Sequence, residues 1–293
     1  MHSPILILTA TPLPSTLRFA DALANISHDE IIIISDNKPS ELPCVAKCVY
    51  IDDAVARENG FFNSSPIIPK TPIAWDKALY FLTNHKTTFD YVWIMEDDVF
   101  FTGPNICIDL MAKYAQDNSD LIVRNFFLRD QHRNWPHWHF AAPFRCEHQA
   151  GAFLPLCRVS RRMAELARDF VREHESLTFI EAMFPSLAVL HKLEVKIMSF
   201  IGERRFHAGP EFRKLELLQL WGNHLENGIF HPVKSDRLRS MSYERPSEWQ
   251  LQFCKMVGPF LTRRAQLEAE LRANAYQHLT EDRIFSVIQE RPL

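Results

Sequence analysis

Three adjacent acidic residues, Glu96, Asp97 and Asp98, follow the apolar run at residues 91–95. Adjacent carboxylates at the end of a buried strand repel one another and lose hydration unless a cation compensates their charge. Carboxylate oxygens suit Mg²⁺ or Mn²⁺, which usually keep water ligands and take further ligands from substrate phosphates. The pattern therefore predicts a divalent-cation site, and a solvated acidic turn is the alternative.

A histidine that could complete such a cation site occurs at either of two later positions. His231 precedes Lys234 by three residues, so one short segment would supply an imidazole ligand and a positive charge for a phosphate group. His207 follows Arg204 and Arg205, which are alternative phosphate-binding residues. We favour His231 as the metal ligand and keep His207 as the alternative.

Glu181 is an acidic residue among apolar neighbours, in the run of residues 177–185. An apolar environment raises the pKa of a carboxyl group, which can then act as a general base towards a hydroxyl. An acid stabilised by the dipole of a helix N-terminus is the alternative interpretation. Glu175 is the reserve candidate for the base.

The eight glycines exclude the two common glycine-rich phosphate-binding loops, because no G-x-G-x-x-G or Walker A spacing occurs among them. The charge of a nucleotide diphosphate would then have to be met by a metal ion and basic side chains. Lys77 is a candidate for that contact, and an ordinary exposed helical lysine is the alternative. Trp75, two residues earlier, is interpreted as a packing residue, and a platform that stacks on the nucleotide base is the alternative.

The elements that would position these residues alternate between strand and helix. The apolar runs at residues 5–9 and 31–34 are typical of strands buried on both faces, and residues 15–26 between them have helical spacing with Ser15 as a candidate cap. This βαβ unit predicts a parallel sheet. Further helices are expected at residues 75–84, 106–116, 160–174 and 178–190, and further strands at residues 48–51, 91–95, 120–123, 150–157 and 195–201.

A hydrophobic strand that ends in Glu96-Asp97-Asp98-Val99, about a third of the way along the chain, resembles the DXD motif of nucleotide-sugar glycosyltransferases with the GT-A fold. The resemblance implies an α/β fold, with a Rossmann-type, mostly parallel central sheet flanked by helices. Residues 1–235 would form the catalytic domain, with a nucleotide-binding half at 1–103 and an acceptor half at 104–235. Residues 236–293 would form a helical C-terminal extension.

The same resemblance implies roles for individual residues. Asp98 would bind Mn²⁺ or Mg²⁺ and His231 would complete the metal shell, with Glu96 near the donor ribose or the metal and Asp97 assisting. The remaining donor contacts would come from residues at strand ends and from basic side chains: Thr9, Asp36, Lys77, Gly151 and Lys234. Thr9 and Asp36 could equally be capping or turn residues, and Gly151 could equally serve a tight strand entry. Glu181 would be the general base of an inverting reaction.

The activity implied is transfer of a hexose or pentose from a UDP- or GDP-linked donor to a hydroxyl group of a glycan acceptor. The aromatic and polar segment at residues 130–140 suits an acceptor-binding loop, because indole rings pack on the C–H faces of sugars. A mobile aromatic loop is the alternative. Two other functions stay open: a metal-dependent phosphoester hydrolase, and a non-catalytic carbohydrate-binding protein of the same fold.

The composition argues against a polyanionic partner. Thirty-three basic and 36 acidic residues give a net charge of −3, so there is no excess of positive charge to attract nucleic acid or an anionic membrane. The N-terminus lacks a basic segment and has only a four-residue apolar run, and no stretch approaches the length of a membrane span. We therefore expect a soluble, cytoplasmic protein.

Overall fold

A computed structural model of the chain describes residues 3–38, 45–64, 71–84, 89–101, 104–199, 205–208 and 228–233. The described residues belong to one contact-defined unit, Met1–Phe212 with Glu226–Arg245. The expected helical extension at 236–293 and the candidate Lys234 lie outside the described residues.

Strands and helices alternate along the described chain. The strands are β1 (Ile5–Thr9), β2 (Ile31–Ser35), β3 (Lys47–Tyr50), β4 (Tyr91–Glu96), β5 (Phe100–Phe101), β6 (Leu121–Val123), β7 (Phe126–Leu128), β8 (Ala150–Ala152), β9 (Leu156–Ser160), β10 (Val195–Ile197), β11 (Arg205–Ala208) and β12 (Gly228–His231). The helices are α1 (Pro14–Ile26), α2 (Asp53–Glu58), α3 (Ala74–Asn84), α4 (Pro104–Lys113), α5 (Arg161–His174) and α6 (Ile180–Leu190). Short 3-10 helices span Trp138–Ala141 and Cys146–His148.

The central sheet has seven strands in the order β10-β6-β9-β4-β1-β2-β3. Strands β4, β1, β2 and β3 are mutually parallel, and β6 and β10 are parallel to each other. Only β9 among these seven described strands is antiparallel to its neighbours, β4 and β6. The expected α/β fold with a mostly parallel sheet flanked by helices is confirmed.

Apolar side chains fill both faces of this sheet, which explains why β1 and β2 are continuous apolar runs. On one face, Leu6, Leu8, Ile32 and Ile34 pack in a core with side chains from α3, α5 and α6. On the other face, the intervening residues of the same strands pack with side chains from α1 and α4. Successive side chains of a strand point to opposite faces, so each isoleucine of β2 is buried by one layer or the other.

Two sequence expectations about element boundaries are wrong. Helix α1 begins at Pro14, with Leu13 at the capping position, so Ser15 lies inside the helix and is not its cap. Proline suits the first helical position because its φ is already helical and its missing N–H would have had no partner there. The single strand expected at residues 150–157 is two strands, because β8 pairs with β7 while β9 joins the central sheet.

A small second sheet places β12, near the end of the described residues, beside the acidic motif. Strand β12 pairs antiparallel with β5, which follows the three acids almost directly, and pairs parallel with β11. Within the described ranges no helix has the length and apolar character needed to cross a bilayer.

Candidate metal centre and active site

Several of the candidate residues lie at one edge of the central sheet. Thr9 ends β1, Asp36 directly follows β2, and Glu96 ends β4, and these three strands run parallel. The carboxyl ends of parallel strands are where open α/β sheets bind ligands. The fold therefore gathers Thr9, Asp36 and Glu96 at the edge where a ligand would be expected.

The acidic motif is held by backbone hydrogen bonds to both neighbouring segments. The Asp97 N–H donates to Leu8 O at 2.8 Å, and the Glu96 N–H donates to Pro155 O at 2.8 Å. Asp97 Oδ2 accepts a hydrogen bond of 2.7 Å from the Thr9 hydroxyl. Asp97 is thus directed towards β1, while the other two acids are directed elsewhere.

His231 lies between the carboxylates of Glu96 and Asp98. Its Nε2 is 3.1 Å from Glu96 Oε2 and 3.1 Å from Asp98 Oδ1. Pairing of β12 with β5 places the histidine there, and the Val233 N–H donates to Asp98 O at 2.9 Å. The edge of the His231 ring packs on Phe153, with ring centroids 5.3 Å apart.

This cluster has the composition and spacing of a divalent-cation site. One ligand atom from each of Glu96, Asp98 and His231 lies within 4.8 Å of the others. Asp98 Oδ1 is buried, and beyond its 3.1 Å ion pair with His231 Nε2 it has no polar partner in the described part of the chain. A buried carboxylate oxygen is costly unless a positive charge lies beside it, and a bound cation would supply that charge. Two carboxylates and one imidazole fit Mn²⁺ or Mg²⁺.

The charge state of His231 supports the same interpretation. Burial lowers the pKa of His231, but the contacts and negative charges of Asp98 and Glu96 outweigh burial and raise the pKa to about 9. At neutral pH without a metal, the imidazolium proton therefore compensates the two carboxylates. A divalent cation would take over that compensation and release the proton.

Glu181, in the first turn of α6, lies within electrostatic reach of the cluster. Burial and, to a smaller extent, the negative charge of Glu96 raise the pKa of Glu181 to about 7. The hydrogen bond from the Leu154 N–H to Oε1, at 3.1 Å, and the charge of His231 oppose this rise. A carboxyl group with a pKa near neutrality suits general-base catalysis. Glu175, the reserve candidate, ends α5 in the left-handed conformation with φ 56°.

Lys77 is engaged by protein groups. Its ammonium is 0% exposed, donates to Asp36 O at 2.6 Å and lies 2.7 Å from Asp53 Oδ1. The alternative of an exposed helical lysine is therefore wrong. Burial raises the pKa of Asp36 to about 6, although the positive charge of Lys77 lowers it. Lys77 ties the end of β2 to α2 and α3, and its predicted contact with a diphosphate stays a prediction.

Gly151 lies in β8, where an aromatic ring fills the space of the missing side chain. A Cβ at this position would be 2.5 Å from Phe127 Cε2 and 3.2 Å from Trp135 Cζ3. The glycine thus permits close packing of the protein's own rings, and its contact with a donor sugar stays a prediction.

The aromatic segment at residues 130–140 packs on itself and on neighbouring rings. Trp135 lies edge-on to Phe127 and Trp138, with centroids 5.4 and 4.9 Å apart, and Phe140 packs on Phe179 at 5.0 Å. Trp138 and Phe140 are buried, whereas Trp135 is partly exposed.

Two residues near the site were not favoured as ligand-binding candidates. Trp75, interpreted as packing, also donates from Nε1 to Glu96 Oε1 at 2.8 Å. Arg124 directly follows β6, just as the three acids follow the apolar part of β4. Its guanidinium lies 5.3 Å from the centroid of the Phe153 ring. The sequence does contain an indication for Arg124, because a polar residue directly after a buried strand marks the ligand-binding edge of the sheet. His207, the alternative metal ligand, lies in β11 in register with Phe230.

Comparison with known proteins gives distant structural neighbours only. No family model matches the chain, and no curated protein matches it. The chain is similar to the galactosyltransferase LgtC in complex with donor and acceptor sugar analogs, at 11% identity over 84% of this chain and 99% of that chain, with a TM-score of 0.44. It is similar to a 2-C-methyl-D-erythritol 4-phosphate cytidylyltransferase from Thermus thermophilus, at 12% identity over 67% and 88% of the two chains, with a TM-score of 0.37.

A third neighbour is glucosyl-3-phosphoglycerate synthase from Mycobacterium tuberculosis in complex with Mn²⁺, UDP and glucosyl-3-phosphoglycerate. The identity is 14% over 55% of this chain and 58% of that chain, with a TM-score of 0.32. The chain spans about half the length of a further mycobacterial protein that it matches, 54% of that chain.

Proposed function

We propose that this protein is a divalent-metal-dependent glycosyltransferase that moves a sugar from a UDP- or GDP-linked donor to a hydroxyl group of a glycan acceptor. The observation that carries the proposal is the convergence of Glu96 Oε2, Asp98 Oδ1 and His231 Nε2 at the carboxyl edge of the sheet. Glu181, with a pKa of about 7, lies within electrostatic reach of these three groups.

Glu96, Asp98 and His231 would hold Mn²⁺ or Mg²⁺. A cation bound there supplies positive charge for the diphosphate of the donor and for the leaving nucleotide. Thr9 and Asp36 end the two strands beside β4, so they are the proposed contacts of the nucleoside. Thr9 also holds Asp97 away from the cluster, at 2.7 Å between Oγ1 and Oδ2, which leaves Glu96 and Asp98 as the acids of the metal centre.

Glu181 is the proposed general base. Its carboxylate would accept the proton of the acceptor hydroxyl as that oxygen attacks the anomeric carbon on the face opposite the nucleoside diphosphate. The bond from that carbon to the diphosphate oxygen breaks in the same step, so the nucleoside diphosphate leaves and the configuration inverts. The same burial that raises its pKa makes the carboxylate a better proton acceptor near neutral pH. The acceptor itself would lie against the exposed side of Trp135 in the segment at residues 130–140.

Binding measurements test the proposal and separate it from the two alternatives. Unfolding temperatures are measured with UDP or GDP, each with and without Mn²⁺. A ligand that binds only the folded state at about 100 times its Kd raises the unfolding free energy by about 2.7 kcal/mol. We expect stabilisation by one nucleotide that requires Mn²⁺ and that is lost in Asp98→Ala.

Asp90→Ala is the matched control, because Asp90 is an exposed acid directly before the other end of the same strand. The control variant should keep the response to nucleotide and Mn²⁺. Release of phosphate from simple phosphoesters would favour the hydrolase instead. Stabilisation by an oligosaccharide without nucleotide or metal would favour the binding protein. A screen of nucleotide-sugar hydrolysis with Mn²⁺ then identifies the donor.

A further inference from the structure

The indole of Trp75 contacts the proposed metal centre directly. Trp75 Nε1 donates a hydrogen bond of 2.8 Å to Glu96 Oε1, while the other oxygen, Oε2, is the one that lies 3.1 Å from His231 Nε2. The two oxygens of one carboxylate thus have different partners. An indole N–H is a donor only, so it can neither bind a cation nor compete with His231 for one.

Trp75 is itself held in place by the residues that follow it in the first turn of α3. The Ile73 N–H donates to Asp76 Oδ2 at 3.0 Å, which ties the carboxylate to the start of the helix. Lys77 donates to Asp36 O at 2.6 Å, which ties the helix to the end of β2. The indole is 6% exposed and packs edge-on against Phe184 at 6.4 Å. The donor that Glu96 meets therefore has little freedom to move.

We infer that Trp75 is a positioning residue of the metal centre, which engages one oxygen of Glu96 so that only the other is presented to the cation. This inference rests on the proposed function. Glu96 has three rotatable side-chain bonds and is partly exposed, at 35% of its side chain, so without the indole its carboxylate would be free to turn towards solvent. Partners that orient a metal ligand in this way contribute to the affinity for the metal.

A purely structural role for Trp75 and a positioning role predict different effects of its replacement on metal affinity. If Trp75 only fills space, its loss lowers stability and leaves the affinity for metal unchanged. If it acts through Glu96, its loss weakens metal binding, and that effect disappears once the Glu96 carboxylate is removed. A double-mutant cycle between the two residues separates these cases.

The experiment measures Mn²⁺ binding to the full chain by electron paramagnetic resonance of free Mn²⁺, without any substrate. The variants are Trp75→Phe, Glu96→Ala and their combination. Trp93→Phe is the matched control, because it makes the same substitution at an indole that is buried in the core on the opposite face of the central sheet. Trp75→Met, whose flexible side chain fills irregular space, replaces the Phe variant if that variant does not fold.

We expect Trp75→Phe to raise the Mn²⁺ Kd by about tenfold, within the range for residues that orient metal ligands. Trp93→Phe should lower the unfolding temperature and leave the Kd unchanged. Adding Trp75→Phe to Glu96→Ala should change the Kd by less than about twofold. An unchanged Kd in the Trp75 variant, or an equal loss in both backgrounds, overturns the inference. If the wild-type protein binds no Mn²⁺, the proposed function itself fails.

Discussion

Replacing Asp76 with Asn is expected to remove the part of the pH-dependent loss of stability near neutrality that comes from this one carboxyl group. Asp76 is 2% exposed in the first turn of α3, where its carboxylate accepts the Ile73 N–H. Burial and, to a smaller extent, the negative charge of Asp36 raise the pKa of Asp76 to about 7, although the hydrogen bond from the Ile73 N–H lowers it. Asparagine keeps a carbonyl oxygen for the Ile73 N–H and carries no charge at any pH.

The sign follows from proton binding in the two states. Between the unfolded pKa of 3.8 and the folded pKa of about 7, the folded protein binds the proton and the unfolded chain does not. Stability from this group is therefore present at low pH and declines as pH rises. With these two pKa values, the free energy of unfolding falls by about 2.5 kcal/mol between about pH 5 and about pH 8 because of this group. For a domain of this size, that corresponds to a fall of about 5 to 10 °C in Tm.

The assay is thermal and denaturant unfolding of the wild type and Asp76→Asn across this pH range, with a chelator present so that metal binding does not contribute. The difference between the two proteins isolates Asp76, because other titrating groups are common to both. The wild type should lose stability relative to the variant by about 2.5 kcal/mol over the range. Parallel pH profiles would refute the reasoning, since they would show that Asp76 ionises alike in both states.

Three further perturbations test other parts of the structure. Lys77→Met should lower the free energy of unfolding by about 1–3 kcal/mol, because the Asp36 carbonyl loses its donor and Asp53 loses its ion-pair partner; unchanged denaturant curves would contradict this. Gly151→Ala should cost about 1–3 kcal/mol and reduce the near-ultraviolet circular dichroism of the aromatic segment, because the new Cβ meets Phe127; a variant with wild-type stability and spectrum would show that the ring has room to move. Glu181→Gln should lower turnover by about 10²–10⁴-fold with an unchanged Mn²⁺ Kd. Wild-type activity should rise with pH through about 7, and a rise that persists in the Gln variant would exclude Glu181 as the base.

Much of the sheet could be predicted from the sequence because its strands are buried on both faces. The runs at residues 5–9 and 31–34 are apolar at every position up to the strand end, and β1 and β2 occupy these residues. The same buried pattern before Glu96 predicted β4, and polar residues after such runs indicated the ligand-binding edge. For these strands, the preference of the residues for β-structure and their burial in the core favour the same conformation.

The contacts that assemble the candidate site follow from pairings that no local pattern encodes. His231 reaches Glu96 because β12 pairs with β5, which has only two residues and so no periodicity to detect. The burial of Lys77 depends on Asp53, in the six-residue helix α2, and on the carbonyl of Asp36. Trp75 shows why a single role is hard to assign from sequence, since a buried indole both packs and donates a hydrogen bond.

The central claim is that Glu96, Asp98 and His231 together bind a divalent cation that is shared with a nucleotide diphosphate. A crystal structure with Mn²⁺ and UDP or GDP, with anomalous scattering to locate manganese, tests this most directly. We predict a manganese peak in contact with Glu96 Oε2, Asp98 Oδ1 and His231 Nε2 and with a phosphate oxygen of the nucleotide. A nucleotide bound with no manganese among these three side chains would contradict the account.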